Sequence, residues 1–374
     1  MKIFSDEQIP VAGVDIRPGD VAVVADVLQS GRLRQGAVTA EFENAFAERV
    51  GAKHAVAVSS GTAALHLAYL AMFGPGDEVI VPSFTFVATA SMLIAIGAIP
   101  VFADVDPRTF TLSLAEIEQR ITPRTAGIAG VHLFGNACDI DGLTKIAARH
   151  GLALVWDAAQ SLGTEYQGRE VGSYPVATCY SFYPTKNITT GEGGMVATND
   201  ESLAFKLRLS RSQGAAGKYV HTQLGFNYRM TDMEAALGLR QLERLDEYLE
   251  RRRANAAILS AALADVPGVL PPKVEAHTQH TYNQYSILVG WDGAKLSRDE
   301  LAEELSARGV QTAVHYPRPL HRQPMFDHGF TGLAVSDQLS ECILALPVHP
   351  GVRPDQAERV AGSIADIMMQ GSHQ

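Results

Sequence analysis

Short apolar runs recur along the first two hundred residues, and polar, helix-like stretches separate them. The runs are HAVAVS (54–59), EVIVPS (78–83), IPVFADV (99–105), TAGIAGVHLF (125–134), LALVWDAA (152–159), ATCYSF (177–182) and GGMVAT (193–198). They are near-continuous in apolar residues rather than alternating. Strands covered on both faces have that composition, so the pattern predicts a mainly parallel sheet flanked by helices. TAALHLAYLAM, FVATASMLIAIG, LAEIEQRI and IDGLTKIAARHG supply the helices between the runs. The alternation is that of a doubly wound α/β sheet. The last two runs lie too close for an intervening helix, which predicts one antiparallel strand.

From Thr231 the pattern changes. TDMEAALGLRQLERLDEYLERRRANAAILSAALADV has no proline before Pro267 and carries Leu242, Leu245 and Leu249 at helical spacing. It predicts one long helix, with room for a kink, leading out of the first domain. YSILVGW, RDELAEELSARG, VQTAVHYP, SECILALP and RPDQAERVAGSIADIMM then predict a smaller C-terminal α+β domain. The expected division is a large domain over 1–240, and over 241–374 the connecting helix with the small domain. A chain of 374 residues has room for two such units.

Composition narrows the function. A net charge of −10 argues against nucleic acid, which needs a basic face. Three scattered cysteines, Cys138, Cys179 and Cys342, make neither a disulfide framework nor a zinc site, and no HExxH occurs among the histidines, so no metal is expected. MKIFSDEQIPVAGVD lacks the apolar core of a signal peptide. ATASMLIAIGAIPVFADV is broken by Gly97 and Pro100 and does not read as a membrane span. A reducing, cytoplasmic setting is expected.

The candidate chemistry sits at strand ends. SSGTAALHLAYL passes from a strand through small residues into a helix start, where free N–H groups and the helix dipole favour an anion and Gly61 allows close approach. By itself it reads first as an ordinary helix capped by Ser60 or Thr62. Asp157 ends a very apolar strand, either as a strand-end cap or as a carboxylate facing a ligand. Gln160 either closes a capping box with it or faces the same ligand. Lys186 lies between two core-like runs beside GEGG (191–194), as a loop lysine or as an amine whose pKa burial depresses. Phe84 and Phe86 are core packing or an aromatic wall. One cofactor uses all these parts together. Pyridoxal 5'-phosphate requires a lysine for its aldehyde, a carboxylate for its ring nitrogen and a phosphate cradle.

The ordered set resembles the DegT/DnrJ/EryC1/StrS family of pyridoxal-phosphate-dependent sugar aminotransferases, of fold type I. The likeness runs from SGRLRQG (30–36) to PRPLHRQPMF (317–326), through SGTAALHLA, GPGDEVIVPSFTFVATA, FADVDPRTF, ITPRT, VHLFG, DAAQSLG, SFYPTKNITTGEGGM and GFNYRM. The resemblance implies a seven-stranded sheet and a homodimer with shared active sites. It implies that Lys186 is the Schiff-base lysine and proton carrier, and that Asp157 pairs with the pyridine nitrogen. Gln160 would bond the ring's phenolic oxygen and Phe86 would stack on the ring. The Gly61 and Thr62 amides and the Ser181 hydroxyl would hold the phosphate, reached by Asn227 from the partner subunit. His321 would lie near the substrate.

The implied reaction is a transamination of the 2.6.1 class, from glutamate, with glutamine as the alternative donor, onto a keto group of a nucleotide-linked sugar, feeding amino-sugar and polysaccharide biosynthesis. Three alternatives accompany it. A ketocyclitol is the alternative acceptor. Some family members carry histidine at the lysine position and dehydrate a sugar instead, which Lys186 counts against. A non-catalytic cofactor-binding regulator is the third, and the complete residue set counts against it.

Overall fold

The computed structural model describes residues 8–293, 296–326 and 331–371; the first seven residues of the segment read as lacking a signal peptide lie outside them. Strands β1 (His54–Val58), β2 (Glu78–Pro82), β3 (Ile99–Ala103), β4 (Thr125–Val131), β5 (Ala153–Asp157), β6 (Ala177–Ser181) and β7 (Gly194–Thr198) form one seven-stranded sheet in the order β1-β7-β6-β5-β4-β2-β3. Each strand coincides with one of the apolar runs. β7 is antiparallel to both neighbours, and the other pairings are parallel.

Alternate residues of each strand enter different cores. Val79, Val81, Val155, Cys179 and Val196 pack with α3 (Gly61–Met72), α4 (Ala88–Ala95) and α7 (Glu201–Arg211). Ile80, Ile128, Trp156, Tyr180 and Met195 pack on the other face with α2 (Ala37–Val50) and α6 (Ile140–His150). Burial on both faces is why the runs lack polar alternation. Two further helices of this region are α1 (Pro18–Ser30) and α5 (Leu114–Arg120).

The expected long helix is two helices, α8 (Asp232–Leu242) and α9 (Leu245–Leu263). No proline causes the break. At Arg244 the backbone N–H bonds Gln241 rather than the residue four back, and the guanidinium turns to Asp20 at 2.7 Å and Tyr248 at 2.9 Å. α8 opens on a capping box in which Thr231 and Glu234 satisfy each other's backbone N–H.

Beyond α9, β8 (Val269–Leu270), β9 (Tyr285–Val289) and β10 (Ile343–Leu346) make a three-stranded antiparallel sheet. It packs with α10 (Arg298–Ala307) and α12 (Pro354–Gly371) around Ile287, Leu301, Leu344 and Val360, while α11 (Ala334–Cys342) leads into β10. Ile9 belongs to this core and bridges Val310. The VQTAVHYP stretch makes isolated bridges rather than a regular strand.

Candidate active site

β7 runs against both neighbours, so the other six sheet strands share a direction and their carboxyl ends lie along one edge. Ligands bind at that edge in open α/β sheets. A cavity of about 490 Å³ opens there, lined among others by Gly61, Thr62, Phe86, Asp157, Gln160, Ser181 and Lys186. The structure thus gathers seven of the nine sequence-selected residues, drawn from the ends of β5 and β6, the loops after β2 and β6, and the start of α3.

The start of α3 is built for close approach. Ser60 is the N-cap, and its hydroxyl accepts the Ala63 N–H at 3.1 Å. A Cβ on Gly61 would come within 2.7 Å of the Ser181 Cβ, so only glycine lets the first turn of α3 lie this close to the end of β6. Unbonded N–H groups of that turn and the Ser181 hydroxyl face one space, a donor set suited to a phosphate.

Asp157 is buried and closes β5. Its Oδ2 accepts the Thr89 hydroxyl at 2.7 Å and its Oδ1 accepts the Ala159 N–H at 3.1 Å. Burial pushes its pKa up, while those two bonds and the Lys186 charge pull it down. No capping box forms with Gln160. The Gln160 Oε1 instead accepts the Phe134 N–H at 2.7 Å, and its Nε2 points to the Tyr316 hydroxyl at 3.4 Å.

Lys186 sits in a turn in which its N–H bonds Tyr183 O at 2.9 Å. Burial lowers its pKa to about 8 against the opposing pull of Asp157. An amine so placed is partly deprotonated near neutral pH, as a nucleophile requires. Phe86 remains 54% exposed at the cavity with its ring 6.3 Å from that of Tyr316, so it is an aromatic wall rather than core. Phe84 is the core member of the pair.

His321 is not brought to the cavity. It is buried between Ser83, whose hydroxyl meets Nδ1 at 2.6 Å, and Asp337, whose Oδ1 meets Nε2 at 3.1 Å. With both ring nitrogens engaged inside the protein, the histidine ties the 320s segment to the end of β2. Asn227 is exposed, bridges Ser212 and does not line its own chain's cavity.

Sequence reasoning missed Thr89, His132, Gln284, His315 and Tyr316, which also line or support the cavity. Thr89 had a readable signal, since Thr85 and Thr89 are one helical turn apart just after a strand end. His315 and Tyr316 arrive from the small domain and carry no local signal. The His132 ring, neutral with its pKa driven down to about 3 by burial, accepts the Cys138 N–H at 3.0 Å.

A lysine with a depressed pKa, a buried carboxylate and an anion cradle on a mainly parallel sheet are the parts that pyridoxal phosphate requires. Residues 14–365 match the model of the DegT/DnrJ/EryC1/StrS aminotransferase family, and the chain belongs to that family. It is 42% identical over 339 residues to a GDP-perosamine synthase of Caulobacter vibrioides, a match covering 89% of this chain and 91% of that one. Its structure superposes on DesV of S. venezuelae with a TM-score of 0.93 at 37% identity, covering 96% and 98% of the two chains. It superposes on the putative sugar aminotransferase Spr1654 from Streptococcus pneumoniae, in its PLP form, with a TM-score of 0.91 at 28% identity, covering 97% and 99%. Among the described residues no helix is long and apolar enough to cross a membrane, and no cluster of side chains could hold a metal ion.

Proposed function

We propose that this aminotransferase moves an amino group from glutamate onto a ketone of a nucleotide-linked sugar, as a cytoplasmic homodimer. The observation that carries the reading is the joint placement of Lys186, Asp157 and the α3 start in one cavity. The relative named as a GDP-perosamine synthase supports a nucleotide-sugar acceptor. Three buried cysteines without a disulfide accord with a reducing compartment.

The residues fit the cofactor. Glycine at 61 lets the start of α3 lie against Ser181, so that both can face one phosphate, and Asp157 supplies an anion for a ring nitrogen. When bound, the cofactor supplies an electron sink for the carbon that loses its proton beside the amino group. Asp157 would keep that sink effective by holding the ring nitrogen protonated, and Thr89 fixes the carboxylate for the task. Gln160, anchored through Oε1 on the Phe134 N–H, would offer its amide nitrogen to the ring's phenolic oxygen. Phe86, which lines the cavity, would cover one ring face. Gly61, Thr62 and Ser181 would hold the phosphate, with Asn227 reaching it from the partner subunit. Lys186 takes the proton from the donor carbon and returns it on the other side of the reacting group, and its depressed pKa suits both transfers. Running the same steps in reverse on the keto sugar predicts ping-pong kinetics.

The test is to incubate the purified holoenzyme with glutamate and a panel of nucleotide keto-sugars and keto-cyclitols, and to identify aminated products by mass spectrometry. Amination of a nucleotide sugar supports the proposal. Turnover confined to a cyclitol ketone overturns the substrate assignment.

A further inference from the structure

We propose that Asn283, at the entrance to β9 of the small domain, is a positioning residue that holds the two residues flanking Lys186, Thr185 by its backbone carbonyl and Asn187 by its side chain. The inference rests on the reading of Lys186 as the reactive amine. The Asn283 side chain is buried, and its one amide nitrogen donates to Thr185 O at 3.2 Å and to Asn187 Oδ1 at 3.1 Å. Asn187 in turn donates to Leu162 O, beyond the end of β5, at 2.9 Å. A single amide group therefore grips the residues immediately before and after Lys186.

Asn283 is itself held from α9. The buried Arg252 donates through Nη1 to Tyr282 O and Asn283 O, both at 3.1 Å. The chain of bonds runs from α9, through the segment before β9, to the lysine loop and on to the β5 end. It crosses between the small-domain and cofactor-domain parts of the chain. The primary amide has two N–H bonds on one nitrogen, one for each of these acceptors.

The grip matters because the lysine stem is long and the loop is irregular. A displacement near 1 Å in a reacting group costs about a hundredfold in rate. Behind the loop lies a cavity of about 70 Å³ lined by Thr185, Arg252, Asn283, Gln284 and His315. A larger one of about 270 Å³ touches Lys186 and Asn187. Removing the Asn283 donors loosens the wall between these spaces and the amine, and admits water behind it. Asp157 and His315 are the titratable neighbours whose charge couples to Lys186, and neither is altered by the change.

The test uses cofactor-free protein, so that it is independent of turnover. Lys186 reactivity toward acetic anhydride is followed against pH by peptide mass spectrometry, with hydrogen exchange of the 183–190 segment as a second reading. In wild type the labelling midpoint is expected near 8. Asn283→Leu, which keeps the bulk and removes the donors, is expected to raise the midpoint by about one pH unit as the amine is resolvated. It should also speed exchange in 183–190. Asn283→Gln, which retains an amide with two N–H donors, should restore both toward wild type. With cofactor restored, kcat should fall in Asn283→Leu with KM for the acceptor little changed. If Asn283→Leu does not fold, Asn283→Ala, which also lacks a side-chain donor, carries the same comparison. Wild-type midpoint and exchange in the donor-free variant overturn the proposal. Borohydride fixing the cofactor on a different lysine would instead overturn the reading of Lys186, leaving the hold on the loop to be judged from exchange alone.

Discussion

Thr89 donates its hydroxyl to the Asp157 carboxylate at 2.7 Å, with both groups buried. Burial alone would push this acid toward its neutral form, and the Thr89 bond is the largest of the effects opposing it. Thr89→Val keeps the shape and removes the donor. A hydrogen bond to a charged group contributes about 1.5–3 kcal/mol, so turnover is expected to fall about tenfold or more. The acid limb of the kcat–pH profile should move to higher pH, because the carboxylate then protonates more readily. Asp157→Asn should lose several orders of magnitude with the far-UV circular dichroism unchanged. An unmoved acid limb in Thr89→Val would detach Thr89 from the function of Asp157.

Gly61→Ala places a methyl group where the Ser181 Cβ lies 2.7 Å away. Either α3 or the end of β6 must shift, at a cost of about 1–3 kcal/mol for an overpacked site. The shift falls on the phosphate cradle. Cofactor affinity is expected to drop at least about tenfold, which corresponds to about 1.4 kcal/mol. Equilibrium dialysis against pyridoxal phosphate reads this directly, and an unchanged affinity would remove Gly61 from the cradle.

The sheet was legible because strands buried on both faces cannot hide their composition. Ile80, Trp156 and Tyr180 pack one way and Val79, Val155 and Cys179 the other, so every run had to be apolar throughout. Asp157 and Lys186 were legible as polar groups set against such runs. What escaped was long-range. Gln160 meets Phe134 and Tyr316 rather than its neighbour Asp157, and 156 residues of chain separate it from Tyr316. His321 and His315 lie six residues apart in one irregular segment, and only packing decides which of them faces the cavity. The break between α8 and α9 likewise depends on Asp20, far away in sequence, drawing Arg244 aside.

Lys186 also makes stability depend on pH in a definite direction. Its folded pKa lies near 8, below the ordinary 10.5, because burial penalises the charged amine. Below pH 8 both folded and unfolded chains carry the proton, and the penalty is fully present. Between about 8 and 10.5 the folded chain sheds the proton while the unfolded chain keeps it, so the penalty is relieved as pH rises. Cofactor-free wild type should therefore gain stability relative to Lys186→Met across that interval. Urea unfolding of the two proteins at pH 7, 9 and 10.5 checks this, and parallel curves would place the lysine in solvent.

Asn227 gives the most direct test of a site shared between subunits. It is exposed, it does not line its own cavity, and the helix start near it is already capped by Thr231 and Glu234. A cap therefore does not account for it. If it serves the partner's cofactor phosphate, a mixed dimer of Lys186→Ala and Asn227→Ala chains has one site carrying both lesions and one carrying neither. Each homodimer is then nearly inactive, while the mixed dimer recovers up to about half the wild-type activity, as a two-fold shared site requires. The dimers can be prepared with two affinity tags, purified on both in succession and assayed with glutamate and the identified acceptor. If Asn227→Ala homodimers are impaired and proven mixed dimers recover nothing, the asparagine acts on its own chain and the sharing is wrong.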